Sequence, residues 1–469
     1  MDEKQQSAEK EMQEIRQLVE AQRQFYDSGQ TRPVLFRIRQ LRALKRMVKD
    51  HEEEVLEALY KDLKKPRFEA WVAELALFYE EVNIAISHVR GWCRRTKVKT
   101  PLALEPSSSW IQPEPKGLVL IIGPWNYPFQ LVMQPLVGAM AAGNCVIVKP
   151  SDKTPHTSNL LAALVAETFD PAYVAALQGP GAMMGPRLIE PHRFDHIFFT
   201  GSTQVGKKIL AMAAPHLTPV TLELGGKNPV IVMQDANLEV AARRIIWAKH
   251  LNAGQVCIAP DYLLVHESVK DRLVGKMIQA IHDFFGEDPI ASDSYGRIIS
   301  RNRLEILAGY LKDGQILTGG QVDSDSLYMA PTLMDGVRLD SPVMQEEIFG
   351  PILPIFTFRE LEEVVSMVRR NRSSLAAYLY TDHRKTENEL LEKLEFGGGC
   401  INNCIVHAGN PNLPFGGVGN SGMGRYHGKA SFDLFTNHKA MMRSGTWLDP
   451  DMKYAPYTDN KLDLVKQLL

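Results

Sequence analysis

Cysteine is scarce and scattered in this sequence. Cys93, Cys145, Cys257, Cys400 and Cys404 stand among 469 residues with no CxxC spacing and no Cys/His ligand cluster. That pattern excludes a disulfide framework and a structural metal, and it points to a reducing compartment. An excess of one charge is missing too: 53 Lys plus Arg oppose 55 Asp plus Glu, for a net charge of −2. Such a balance offers no footprint for nucleic acid or an anionic membrane. Apolar runs such as Leu118–Ile122 fall far short of the roughly 20 residues that span a bilayer. Met1 to Glu20 is charged throughout and has no apolar stretch of the secretory kind. No period of 20 to 50 residues repeats, and no low-complexity linker divides the chain. A cytoplasmic protein without a transmembrane segment is expected, its partners small molecules or further subunits.

What is present is an ordinary globular composition, 45% hydrophobic and 23% charged, in a chain long enough for two or three domains. From Glu9 to about Lys97 the spacing predicts helices: Leu35, Ile38, Leu41, Leu44 and Met47 drift around one face, and Val55, Leu56, Leu59 and Leu63 continue it. The charged run Lys49 to Glu54 between them reads as a solvated surface. After Pro101 short apolar runs alternate with helical stretches. Leu118–Ile122, Val146–Val148, His196–Phe199, Val220–Leu224 and Val230–Val232 read as strands, with Leu131–Ala142, Ser158–Thr168, Lys207–Ala214 and Val240–His250 as helices. Strands alternating with helices imply an α/β fold with a parallel sheet covered on both faces. Ligands of such sheets sit beyond the carboxyl ends of the strands, so the strand exits carry the chemistry.

Four exits are polar or glycine-rich. In Gly123-Pro124-Trp125-Asn126-Tyr127-Pro128 a stiff loop holds Asn126 either as a turn former or as a donor to a developing oxyanion. Lys149, fixed by Pro150, and Asp152 form either a solvated turn or a contact for a ribose diol. Gly201, Ser202 and Gly206 lie between a strand and a helix, where backbone N–H groups can meet phosphate. The middle glycine of GxGxxG is missing there, and Ser202 can equally be a plain N-cap. Glu223, before Gly225-Gly226, is either exposed or a general base in a cavity. Cys257, in Leu251-Asn252-Ala253-Gly254-Gln255-Val256-Cys257, is the candidate nucleophile. Gly254 and Ala253 leave room for a reactant, and the polar Asn252 and Gln255 argue against a sealed apolar position. The alternative is a small inert buried thiol.

The motifs GPWNYP, VKPSD, FTGSTQVG, TLELGGKNP, NAGQVCIAP, EEIFGPILP and PFGGVGNSGMGRYHG follow in order along nearly the whole chain. With them the sequence resembles the aldehyde dehydrogenase superfamily. The C-x-A-P form around the thiol, the segment Tyr426 to Ala440 and Tyr454-Ala455-Pro456-Tyr457 look like its class 3, the branch of fatty and aromatic aldehyde dehydrogenases. The resemblance implies a Rossmann-like cofactor domain (1–97 and 118–222), an α/β catalytic domain (223–405), and a β-hairpin oligomerisation element with a tail (98–117 and 406–469). It implies Cys257 as nucleophile, Asn126 with the Cys257 N–H as oxyanion hole, and Glu223 as the activator of a deacylating water, with Glu347 as rival base. It implies cofactor contacts at Lys149, Asp152, Gly201, Ser202, Gly206, Leu224, Gly225, Glu347 and Phe349, with no metal. Aldehyde would be oxidised to carboxylic acid through a thiohemiacetal and thioester on Cys257, by a homodimer.

Asp152 stands where many NAD-preferring relatives carry Glu, so NAD is expected with NADP tolerated. Two other classes are kept: transfer of the acyl group to coenzyme A, and a non-catalytic structural relative. Cys400 and Cys404 read as packing residues, and Pro414 to Gly417 as either a wall of the site or a turn. Strands are also expected at Tyr262–Val265, Ile352–Phe358, Leu375–Tyr380 and Cys400–Asn403. Asn460–Leu469 has helix-like apolar spacing and reads as a cover for a groove. Some class 3 relatives continue into a hydrophobic anchor; with this sequence ending at Leu469, a cytosolic form is expected.

Overall fold

The computed structural model describes residues 3–371 and 374–468. Its amino-terminal region is helical over Glu3–Asp27, Val34–Asp50, Glu52–Leu63 and Leu77–Trp92. Ile38, Leu41, Leu44 and Met47 face the core, whereas Leu35 on the same stripe is 65% exposed. Steps of three lag behind the 3.6-residue turn, so the start of the stripe has rotated out to solvent. Helical structure stops at Trp92, and Thr96–Val98 is already a strand.

The first sheet runs in the order Gly422–Met423, Val220–Glu223, His196–Thr200, Leu118–Ile122, Cys145–Lys149, Val174–Ala176. All its pairings are parallel except that of Gly422–Met423. The register sets Ile122 beside Lys149 and Phe199, and Thr200 beside Glu223. The expected exits therefore share one edge. Helices Gln130–Ala142, Pro155–Thr168 and Thr203–Ala213 connect the strands. Gln130–Ala142 is buried along its whole length and ends at Gly143, whose φ of +93° supplies the left-handed stop.

The second sheet holds seven strands, in the order Gln315–Thr318, Thr332–Asp335, Ile352–Phe358, Tyr262–His266, Pro229–Val232, Ser374–Tyr380, Phe396–Ile401. Its last strand begins four residues before the expected Cys400–Asn403. Gly397, Gly398 and Gly399 hide it from a search for apolar runs, yet at Gly397 a Cβ would stand 2.7 Å from the Leu375 carbonyl. Close backbone approach, not side-chain burial, selects the residues there.

A third, three-stranded sheet joins Thr96–Val98, Ser107–Pro115 and Thr436–Ser444, the last two pairing antiparallel from Thr436 with Pro115 to Ser444 with Ser107. Of residues 406–469, only Thr436–Ser444 belongs to it. Gly422–Met423 instead completes the first sheet, and helix Lys429–Leu434 packs on Gln130–Ala142, where Gly138 leaves room for Ser431. The tail forms a helix over Asp459–Leu468, with Leu462 and Leu464 about half exposed, and Lys461 Nζ donates to the Tyr454 carbonyl at 3.0 Å. Leu469 lies outside the described residues.

Candidate active site

Cys257 lines a cavity of about 680 Å³. Asn252, Ala253 and Gly254 lead into it with φ of +50°, +52° and +77°. A run of left-handed residues is costly outside glycine, and here it is over-determined by hydrogen bonds. Gln255 Nε2 donates to the carbonyls of Asn252 (3.0 Å) and Arg297 (2.9 Å), and its Oε1 accepts from Ile299 N at 2.9 Å. Asn252 and Gln255 are thus wholly buried. Their polarity, which the sequence set against a sealed apolar position, satisfies the loop from inside. Beyond the thiol, Asn228 Nδ2 donates to the carbonyls of Cys257 (2.8 Å) and Ala259 (3.0 Å), and the Tyr378 hydroxyl donates to that of Ile258 (2.6 Å).

Asn126 is buried beside this loop. Its Nδ2 donates to the Gln255 carbonyl at 3.1 Å, and its own carbonyl accepts from Asn252 Nδ2 at 2.9 Å. A carboxamide has two N–H groups, and this bond uses one of them.

Two carboxylates bear on the thiol. Glu223 is 3% exposed, lines the cavity with Cys257, and has both oxygens without a hydrogen-bond partner. Burial pushes its carboxyl well above the usual range, with Arg425 as the opposing charge. Glu347 is raised by burial to about 8, with a backbone hydrogen bond from Gly226 opposing the rise, and its Oε1 also lacks a partner. Burial first, then Glu347 and Glu223, push the Cys257 thiol up, while the N–H groups of Cys257 and Ile258 favour its thiolate.

The four exits form a second surface. Lys149 ends its strand 3% exposed, and its ammonium stands 3.3 Å from Asp152 Oδ1, which also accepts from Gly181 N at 3.3 Å. Burial works to raise the Asp152 carboxyl, but these partners together hold it below the ordinary range. Gly201 follows His196–Thr200, and Ser202 caps the helix Thr203–Ala213, its Oγ accepting from Val205 N. The helix also begins earlier than the expected Lys207, so Gly206 lies inside it, where a Cβ would meet Leu224 Cδ2 at 2.8 Å. At Gly225 a side chain would overlap the Glu347 carboxylate. Phe349, held at φ +45°, meets the Trp125 ring edge-on at 5.3 Å and joins the two halves of the molecule. A buried Lys227–Asp261 pair supports this segment: Lys227 donates to the carbonyls of Val343 and Glu346, both at 3.0 Å, and Asp261 accepts from Ile348 N at 2.9 Å.

The cavity wall is mainly apolar, with Phe68, Val72, Leu77, Leu131, Trp247, Phe284, Ile405 and Phe415 among its members. Phe415 thereby walls the site. Glu69, Tyr127, Thr200, Glu223, Tyr426 and His427 are among its polar members.

A sequence profile described as "Aldehyde dehydrogenase family" matches residues 3–441. A Staphylococcus aureus protein named 4,4'-diaponeurosporen-aldehyde dehydrogenase is 45% identical over 435 residues, 92% of this chain and 94% of that protein. The chain belongs to the aldehyde dehydrogenase family. A rat relative, aldehyde dehydrogenase family 3 member B1, is 44% identical over 442 residues, covering 94% of each. The solved structure titled "Substrate bound state of Staphylococcus Aureus AldH" superposes with a TM-score of 0.94 at 44% identity, covering 97% of this chain and 99% of that one. The protein is an oxidoreductase that acts on aldehydes with NAD or NADP.

In this aldehyde dehydrogenase the structure brings Cys257 and Glu223 onto one cavity, with Asn126 against the same loop and Glu347 bearing on the same thiol. The sequence reading missed what holds them: Lys65, Glu69, Glu74, Asn228 and Tyr378. A signal existed for two of these. Glu69 and Glu74 interrupt the otherwise apolar Phe68 to Phe78, and an isolated acid in such a run needs a buried partner. Nothing local marks Asn228 or Tyr378, whose partners lie 29 and 120 residues away.

Proposed function

We propose that Cys257 is the nucleophile of a hydrolytic aldehyde dehydrogenase, and that the cavity binds medium- to long-chain aliphatic or aromatic aldehydes. The observation that carries the reading is one thiol and one unpartnered carboxyl, Glu223, facing a common, largely apolar cavity. The Cys257 thiolate adds to the aldehyde carbon, forming a thiohemiacetal. The free Asn126 N–H and the Cys257 backbone N–H stabilise its oxyanion. A nicotinamide dinucleotide held at the strand exits would supply the hydride acceptor that the protein lacks, so that the thiohemiacetal carbon, on losing hydride, is left as a thioester on Cys257. Glu223 then takes a proton from the water that cleaves the thioester, which releases carboxylic acid and restores the thiol.

The residues at the exits fit such a cofactor. The Ser202-capped helix start offers backbone N–H groups to a pyrophosphate, Lys149 and Asp152 suit a ribose, and the Glu347 oxygen without a partner suits a second ribose. Gly225 and Leu224 form the floor beside Glu347, and Phe349 the wall. Asp152 is shorter than glutamate and keeps a lysine beside it, which favours NAD with tolerance of NADP. On this reading 1–97 and 118–222 form the cofactor domain, 223–405 the catalytic domain, and the third sheet the oligomerisation element. A homodimer is supported by Met441, Met442 and Trp447 standing exposed on or beside that sheet. Five free thiols support a cytoplasmic location. No helix among the described residues is long and apolar enough to cross a membrane.

The test is NADH formation without coenzyme A, across aldehydes from acetaldehyde to hexadecanal and benzaldehyde. Wild type is expected to turn over, with rates rising toward the apolar substrates. Cys257→Ala is expected to lose turnover and keep dinucleotide binding. An active Cys257→Ala protein refutes the assignment.

A further inference from the structure

Lys65 is wholly buried, and its ammonium meets three groups. It donates to Glu74 and to the Asn126 carbonyl, the latter at 2.9 Å, and lies 4.0 Å from the centroid of the Tyr127 ring. Glu74, equally buried, accepts through its other oxygen from Phe129 N at 3.0 Å and Gln130 N at 3.2 Å, at the start of helix Gln130–Ala142. Those N–H groups have no partner inside the helix, so Glu74 is its cap. The pair therefore grips the loop Asn126 to Gln130 at both ends. Glu74 belongs to a π-helical turn, Trp71–Ala76, a local widening often found at functional sites. The Asn126 carbonyl also accepts from Asn252 Nδ2, so one oxygen links the ammonium to the loop that carries Cys257.

We propose that Lys65 and Glu74 are positioning residues for the oxyanion site, fixing the Asn126 carboxamide against the Cys257 loop through the Asn126 main chain. The inference rests on the reading of Asn126 as oxyanion donor. Stability alone does not call for such a pair: well-packed apolar residues often replace a buried ion pair at no cost. Catalysis does call for it, because a displacement of about 1 Å in a reacting group costs on the order of 100-fold in rate.

The experiment compares Asn126→Ala, Lys65→Met/Glu74→Gln, and the triple variant, all as full-length protein checked by circular dichroism and dinucleotide binding. Replacing both partners avoids a lone buried charge, and the carboxamide oxygen introduced by Glu74→Gln retains an acceptor for the helix start. Lys65→Leu/Glu74→Gln, a second neutral pair, serves as an independent probe held to the same expectation. The paired variant is expected to bind dinucleotide normally, with kcat lowered roughly 10- to 100-fold and KM for aldehyde within about threefold of wild type. The triple variant is expected to be no slower than Asn126→Ala. A folded paired variant with wild-type kcat overturns the inference, as do losses that multiply in the triple variant. A wild-type rate for Asn126→Ala itself sinks the oxyanion reading, a result distinguishable because it precedes any change at Lys65.

Discussion

The carboxylate of Glu347 occupies the space in which a side chain on Gly225 would have to lie. Gly225 thereby admits a buried acid to the floor of the proposed cofactor surface. Gly225→Ala should push the carboxylate aside, raising KM for the dinucleotide by about tenfold or more. Steady-state kinetics with varied NAD would check this, and an unchanged KM would show that Glu347 does not contact the cofactor.

Rapid mixing distinguishes the two candidate bases. Glu223→Gln should form NADH in a burst of about one equivalent per subunit and then turn over roughly 100- to 10,000-fold more slowly, since only thioester hydrolysis has lost its base. A burst of that kind in Glu347→Gln, with none in Glu223→Gln, would move the role to Glu347. Its carboxyl lies at about 8, so its basic fraction rises through that pH.

Without dinucleotide, Cys257 should react sluggishly with iodoacetamide at pH 7 and faster up to pH 10. Burial, then Glu347 and Glu223, hold the thiol above its ordinary value. Removing the Glu347 charge should bring the thiolate within easier reach and speed alkylation at pH 9 by about tenfold. Equal rates in wild type and Glu347→Gln would deny that the two groups interact.

Glu69 lines the cavity and accepts from Asn252 N at 2.8 Å; burial raises its carboxyl to about 7. In the unfolded chain a glutamate titrates near ~4.3. The folded state thus binds this proton more tightly, so its stabilising contribution is complete below that value and lost as pH rises through 7. Glu69→Gln should melt near wild type at pH 4.5, gain steadily to pH 7, and hold its lead above. At roughly 1 °C per kcal/mol for a chain of this length the gain is measurable by calorimetry. A lead that is constant across this range would contradict the assignment.

Much of this was legible in the sequence because it is local. The strand exits at Lys149, Gly201 and Glu223 follow from apolar runs ending in polar residues, and parallel pairing puts such exits on one edge. Cys257 stood out through its small and polar neighbours. What stayed hidden depends on partners distant in sequence: Glu69 on Asn252, Lys65 on Asn126, Glu81 on Gly428 and Ser431. The strand Phe396–Ile401 was misplaced for a different reason. Its glycines answer to neighbouring backbone, a requirement that hydrophobic periodicity does not register.

The pairing of Gly422 with Glu223 sets the order in which this enzyme can come into being. Those residues are separated by roughly two hundred positions, and the whole seven-stranded sheet is spelled out between them. Closing so long a loop is unfavourable until the intervening chain has condensed. On a ribosome, the last edge of the first sheet must wait for the second, so the nascent protein acquires architecture well before competence. The Cys257 thiol is thus enclosed with Glu223 in the final steps of assembly.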